Sequence, residues 1–243
     1  MRLLFRSVVF AAALAVPVVS LAQATGSSSS TQKPKPATPA KPKKPPVPRT
    51  PIGVRVYGLF DAEFMSASEA FNTVTGSSTM LGYGGGADVQ NVWRQIFVHG
   101  SVDVSSTSGD RGFLVDGAFV PTGFTVDIGL RAVELGGGWR VTTKKHPNMA
   151  WNIGGGALFN GYKETSEFAL ADENVDVSKA GGYASLGLEF IIGKHLTAGV
   201  DAQYRTIPNG LGTGGISAVT GETNLGGVVV RGLFGIRFGK KKK

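Results

Sequence analysis

The run Val228-Val-Val-Arg-Gly-Leu-Phe-Gly-Ile-Arg-Phe238 alternates with a period of two, so Val228, Val230, Gly232, Phe234, Ile236 and Phe238 share one face of a strand. Val229, Arg231, Leu233, Gly235 and Arg237 share the other. In a soluble sandwich or a lipocalin-like barrel the charged face would meet water and the apolar face would form the core. In a barrel within lipid the assignment inverts, and Arg231 and Arg237 point into the lumen. Period alone fits both readings, so the rest of the chain must choose between them.

Working outward from this run, seven more segments alternate in the same way, at about 54–65, 80–90, 93–105, 123–142, 149–162, 180–191 and 195–206, with the eighth at 226–238. The connections alternate long and short. Tight ones fall at Gln90-Asn91-Val92, Thr143 to Asn148 and Ile192 to Lys194, and wide ones at 66–79, 106–122, 163–179 and 207–225. That asymmetry is what a transmembrane β-barrel requires, with short turns on the periplasmic side and wide loops outside. Along the first segment Val54, Val56, Phe60, Ala62 and Phe64 oppose Arg55, Tyr57, Asp61 and Glu63; along the seventh Leu196, Ala198, Val200, Ala202 and Tyr204 oppose Thr197, Asp201, Gln203 and Arg205. Acids and bases thus collect on one face in comparable number, as a packed lumen network requires. Eight strands leave room for side chains rather than for a water-filled pore.

Export is the second deciding feature. Arg2 and Arg6 precede an apolar stretch from Val8 to Leu21 and then Ala22-Gln23-Ala24, which reads as a signal peptide over 1–24 with cleavage after Ala24. Residues 25–52 read as a disordered periplasmic linker rich in Pro and Lys, followed by the barrel over 53–239 and a basic tail over 240–243. The net charge of +8 belongs to the extensions: residues 1–50 hold eight Lys or Arg and no acid, and the tail holds four more lysines. The body, 51–239, has thirteen basic and seventeen acidic residues, a net charge of −4. An acidic body argues against nucleic acid as a partner. The linker is a candidate tether to the anionic cell wall or to inner-leaflet headgroups, set against a simple solvated spacer. The absence of cysteine excludes a disulfide framework and a thiolate metal site.

Two local expectations follow from parity and position. In the fourth segment Phe124, Val126, Ile128 and Leu130 are even, whereas Val133, Leu135, Trp139 and Val141 are odd, which predicts a β-bulge near Ala132. Tyr57, Trp93, Trp139, Trp151, Phe190 and Phe238 fall near the turn-side ends and are candidates for an interfacial aromatic girdle.

The terminal alternation ending at Phe238 resembles the assembly signal of small bacterial outer-membrane β-barrel proteins of the OmpA-transmembrane and OmpX type, departing from it in the Gly239 and lysines that follow. Arg131-Ala-Val-Glu-Leu-Gly-Gly-Gly-Trp-Arg140, Gly161-Tyr-Lys-Glu-Thr-Ser-Glu-Phe168, Tyr204 through Gly212 and Gly221 through Gly227 are similar to a group of poorly characterised outer-membrane barrel domains. The resemblance spans about 54–238. It implies an eight-stranded antiparallel up-and-down barrel in the outer membrane, with membrane lipid, lipopolysaccharide and the barrel-assembly machinery as partners, and it carries no activity.

Three motifs invite chemistry. His99, Ser101 and Asp103 alternate on one strand face, a base, a nucleophile and an acid about 7 Å apart; the pattern resembles the His-x-Ser pair of outer-membrane lipid A deacylases. Its parity points into the lumen, which favours a buried polar network. Glu164, Glu167, Asp172, Glu173 and Asp176 cluster in one loop as candidate calcium or magnesium ligands, in a spacing that matches no EF-hand. The Gly-Gly-Gly runs at 84, 136 and 154 lack the ending of a phosphate loop and read as room for large neighbours. No motif requires a cofactor.

The sequence therefore reads as a monomeric, exported, non-enzymatic barrel with no open channel, a scaffold displaying four extracellular loops. The alternatives are an outer-leaflet lipid-modifying enzyme and, similar to OmpW-like proteins, a site binding or passing a small apolar ligand.

Overall fold

A computed structural model describes residues 52–116, 118–143, 145–167 and 174–239; the expected signal peptide and cleavage after Ala24, nearly all of the expected linker and the 240–243 tail lie outside them. The chain runs β1 (Gly53–Met65), α1 (Ser68–Thr75), β2 (Thr79–Trp93), β3 (Ile96–Val115), β4 (Ala118–Thr142), β5 (Met149–Ser166), β6 (Val175–Ile192), β7 (Leu196–Ile207), α2 (Gly215–Thr220) and β8 (Leu225–Phe238). The eight strands close in sequence order, each antiparallel to the next, and β1 pairs with β8 from Val54↔Phe238 to Phe64↔Val228. Closure pairs both edges of the sheet, which a wall in contact with hydrocarbon needs.

The faces settle the choice between water and lipid. Arg55, Tyr57, Asp61 and Glu63 are buried, while Val54, Val56, Phe60 and Phe64 on the same strand are exposed. Around the wall Phe60, Leu81, Trp93 and Phe234 are 64–73% exposed. Leaving such side chains in water would forgo about 1.5–3 kcal/mol each, whereas a bilayer makes their exposure favourable. The outward apolar runs Val54–Phe64 and Val228–Phe238 are each eleven residues long, and about 9–11 tilted residues cross the hydrocarbon core. This is a transmembrane β-barrel whose buried charges lie in the lumen.

Several expectations need correction. The wide connection expected at 106–122 is instead paired strand: β3 and β4 continue to Val115↔Ala118, leaving residues 116 and 117 between them. Ser106, Ser108, Asp110, Thr125 and Asp127 keep the extended period but carry polar groups outward, because this part of the hairpin stands beyond the apolar belt. Asp116 takes a positive φ of 51°, the geometry that favours Asp in a tight hairpin turn. The connection at 163–179 shortens likewise to 167–174, between Ser166 and Val175. At the opposite end, the turn expected at Gln90 to Val92 is an irregular stretch of β2, with a register shift between Val89 and Trp93, and the chain reverses at Arg94 and Gln95.

No bulge interrupts the β3–β4 or β4–β5 pairing at Ala132, and even-numbered residues face inward along the described part of β4 from Val126 to Arg140. The change is in what the lumen contains. Val126, Ile128 and Leu130 enter an apolar half, and Glu134 and Arg140 an ionic half. Tyr57 also leaves the proposed girdle, because its parity buries it to 5% exposure in the lumen. Trp93, Trp139, Trp151, Phe190 and Phe238 do face outward at the turn end.

The glycine runs pair with one another, Gly136↔Gly156, Gly137↔Gly155 and Gly138↔Gly154. A Cβ at Gly136 would lie 2.2 Å from the Tyr183 hydroxyl, and one at Gly86 2.6 Å from that of Tyr57. The missing side chains are the space those rings occupy.

Candidate functional site: the filled lumen and its loop-end lid

The ionic half of the lumen is built from inward positions of seven strands. Arg205 of β7 lies at its centre: Nη2 donates to Glu134 Oε1 at 2.7 Å and to Asp103 Oδ1 at 2.9 Å, and Nη1 donates to Glu63 Oε2 at 3.1 Å. Arg231 of β8 donates to Glu134 Oε2 at 2.9 Å and embraces Asp201 with two bonds of 2.8 Å. Glu134 also accepts from Ser101 and Gln203, at 3.0 and 3.3 Å. Nearer the turns, Arg55 donates to Asp88 at 2.7 Å and to Glu189 at 3.1 Å, and Arg140 donates to Glu189 at 3.0 Å. The network ties β1, β2, β3, β4, β6, β7 and β8 across the barrel. Each strand contributes through the same alternation that puts its apolar residues into lipid.

Its structural weight follows from burial. Removing one partner of a buried, hydrogen-bonded ion pair costs about 3–5 kcal/mol, because the other charge stays in a poor solvent. Sharing Arg205 among three carboxylates, and Arg55 and Arg231 between two each, couples distant strands to that penalty.

The apolar half lies toward the loops. Met65, Phe71, Met80, Ile128, Leu130, Leu158, Tyr162, Ile207, Leu211, Ile216 and Leu225 pack into one cluster with Ala67 and Ala70. Phe71 comes from α1 and Ile216 from α2, so the two helices close the end of the barrel. Carboxylates from other segments latch both helices. Glu222, after α2, accepts the Ala70 backbone N–H of α1 at 2.7 Å. Glu164 of β5 accepts the Ile216 N–H of α2 at 3.1 Å and the Tyr162 hydroxyl at 2.7 Å. These acceptors satisfy amides that helix starts leave open. Sequence reading missed this lid because α1 has eight residues and α2 six, too short for a sustained helical period.

The three residues of the deacylase-like pattern all face inward, each with a partner outside the pattern. Ser101 Oγ donates to Glu134, Asp103 accepts from Arg205, and the His99 ring is bonded to the Tyr57 and Tyr183 hydroxyls. A serine activated by histidine requires a bond between those two; here Ser101 and His99 engage different groups. His99 instead borders a cavity of about 30 Å³, with Arg55, Tyr57, Asp88 and Asp201 also on its wall, room for about two waters.

The acidic group does not converge either. Glu164 faces the lumen, paired in register with Val175, while Asp176 is exposed on the opposite face beside Lys163. Glu167 accepts the Thr125 N–H at 3.4 Å, and Asp172 and Glu173 lie outside the described residues. Among the described residues no set of three His, Asp or Glu side chains is placed to hold a metal ion. Phe238, which ends the alternation that resembles an assembly signal, faces outward at the end of β8, beside Val54.

No protein-family model matches the chain, and no curated protein does. Solved structures do. Ail, the attachment invasion locus protein of Yersinia pestis, is similar at 14% identity and a TM-score of 0.46, over 77% of this chain and 99% of that one. The outer membrane protein OprG from Pseudomonas aeruginosa is similar at 12% identity and a TM-score of 0.44, over 78% and 97%. Neisserial surface protein A is similar at 10% identity and a TM-score of 0.40, over 76% and 95%. These similarities are of fold alone. By its own strand order and outward apolar belt, the chain has the fold of a small outer-membrane β-barrel.

Proposed function

We propose that this chain is an outer-membrane scaffold without an open passage, whose loop end faces the outside and serves as an interaction surface. The observation that carries the reading is the raised sheet formed by the upper parts of β3 to β6. Pairing of β2 with β3 stops at Gly82↔Ser105; the C-terminal end of α1 lies against β3 at Gly109, and beyond it residues 110–115 have β4 on one side and, among the described residues, no paired strand on the other. An unpaired strand edge held above the membrane offers backbone donors and acceptors to a partner's extended segment. The filled lumen supports a scaffold rather than a pore: Arg205 and Glu134, its central residues, have side chains with 1% and 0% exposure. The separate partners of His99, Ser101 and Asp103 support a structural use of that motif.

The absence of native cysteine makes the orientation directly testable. Asp116→Cys and Lys194→Cys variants of the full chain, expressed in cells, are treated with a membrane-impermeant maleimide. Labelling of position 116 alone on intact cells is expected, with both positions labelled after lysis. Labelling of position 194 alone on intact cells would overturn the orientation. Fractionation of a folded protein into the soluble periplasm would overturn the membrane reading.

A further inference from the structure

The two ends of the barrel differ in charge. At the turn end, Arg94 between β2 and β3, Lys145 between β4 and β5, and Lys194 between β6 and β7 are all exposed, and among the described residues none of the three is in an ion pair. The acids nearest that end, Asp88 and Glu189, are turned into the lumen and held by Arg55 and Arg140. Among the described residues, the outer surface of this end therefore presents cations without a carboxylate. The sequence adds Lys240 to Lys243, which follow β8 after Gly239. At the loop end Glu69, Asp110, Asp116, Asp127, Glu167 and Asp176 are exposed, and these six acids outnumber the exposed cations there, Arg131, Lys163 and Lys179.

Depth selects the partner. Trp93, Trp139 and Trp151, the three tryptophans of the chain, face outward beside these turns, with Phe190 and Phe238. The Arg94 guanidinium lies 5.0 Å from the centre of the Trp93 ring. Outward indoles settle at the border between hydrocarbon and headgroups, and a cation stacked on one is held at phosphate level. A soluble polyanion or a wall polymer would not need that juxtaposition.

We propose that the turn end binds the phosphate headgroups of anionic phospholipid in the leaflet it faces, through Arg94, Lys145 and Lys194. Each cation sits in a separate turn, so they contact several lipids around the rim rather than one in a pocket. The attraction is electrostatic and falls as salt shortens the Debye length. The inference rests on the membrane reading above.

The tryptophans are the reporters. The full-length protein is reconstituted into phosphatidylcholine bilayers that contain equal fractions of either dibrominated phosphatidylglycerol or dibrominated phosphatidylcholine, and tryptophan quenching gives the relative binding of the two. We expect phosphatidylglycerol to bind roughly threefold more strongly at low salt, with the preference disappearing at about 0.5 M salt. In an Arg94→Gln/Lys145→Gln/Lys194→Gln variant, confirmed as folded by its heat-dependent gel mobility, the ratio should fall to about one. Equal quenching in the unmodified protein would overturn the inference and leave the membrane reading intact. A preference that survives in the triple variant and vanishes on deletion of 240–243 would assign the effect to the tail and overturn it too. Absence of quenching by either lipid would remove the membrane reading and this inference with it.

Discussion

Arg205→Met tests whether the ionic lumen holds the barrel together. The substitution keeps an unbranched apolar side chain but removes bonds of 2.7, 2.9 and 3.1 Å to Glu134, Asp103 and Glu63. Glu134 retains Arg231, Ser101 and Gln203. For Glu63 and Asp103, Arg205 is the hydrogen-bond donor, and both are left as buried carboxylates without it. Losing charge-assisted bonds at two carboxylates costs about 1.5–3 kcal/mol each, which agrees with about 3–5 kcal/mol for breaking a buried ion pair. We expect a loss of about 4 kcal/mol. Guanidinium unfolding in detergent micelles, followed by tryptophan fluorescence, would show it as a midpoint lowered by about 1 M for an m-value of about 4 kcal/mol/M. Adding Glu63→Gln and Asp103→Asn to Arg205→Met should recover at least half of the loss, since both orphaned charges are then gone. A single variant that loses less than about 1 kcal/mol, or a triple variant no more stable than the single one, would refute the argument.

The remaining predictions address the glycine wall, the lipid face and the lid. Gly136→Ala places a Cβ 2.2 Å from the Tyr183 hydroxyl and 2.5 Å from the Gly155 carbonyl, and should destabilise by about 1–3 kcal/mol; Gly161→Ala, whose Cβ meets nothing closer than 3.9 Å, should stay within about 0.5 kcal/mol of the parent in the same assay. Phe234→Arg puts a charge on a lipid-facing residue of 65% exposure and should cost up to about 2–4 kcal/mol in vesicles; no effect there would count against the lipid assignment. Phe71→Ala empties a fully buried site, and at about 3–5 kcal/mol it should expose segment 66–78 to protease while the folded barrel keeps its unboiled gel mobility. Equal resistance in parent and variant would show that the helix is not held by this side chain.

Parity was the feature most legible in the sequence. Arg231 and Phe234 could be assigned to opposite faces from their spacing, and an export signal with an acidic body favoured lipid over water on the apolar face. The strand ends were legible where the chemistry changes abruptly, as at Phe238 or Ile192. They were illegible where strands leave the membrane, because Ser106 to Asp110 keep the extended backbone while their composition reads as a loop. The expected bulge at Ala132 came from assuming a lumen polar along its whole length. An apolar residue at an inward position is excluded only if no plug meets it, and Phe71 and Ile216, distant in sequence, supply one. The candidate motifs were located correctly on inward positions at His99, Ser101 and Asp103. Their partners, Tyr183, Glu134 and Arg205, could not be paired from spacing because barrel closure sets those distances.

The division of the lumen also bears on which part of the loop end can change shape. The segments holding α1 and α2 are fastened to the barrel by the apolar cluster and by Glu222 and Glu164, so moving either helix exposes Phe71 or Ile216 to water and strips acceptors from backbone amides. The upper β3–β4 hairpin is differently placed: at Ser106, Ser108, Asp110, Thr125 and Asp127 it carries polar or charged side chains, β2 no longer pairs with it beyond Ser105, and α1 meets it at Gly109, below the tip. Reorganising it costs less burial. A partner that requires adaptation would engage this side, whereas one that reads a fixed surface would engage the lid. Substitutions at Phe71 and along 110–115, beyond the contact of Gly109 with α1, should therefore separate the two modes: the first alters recognition of the lid by disordering it, and the second alters edge pairing while leaving the lid protected from protease.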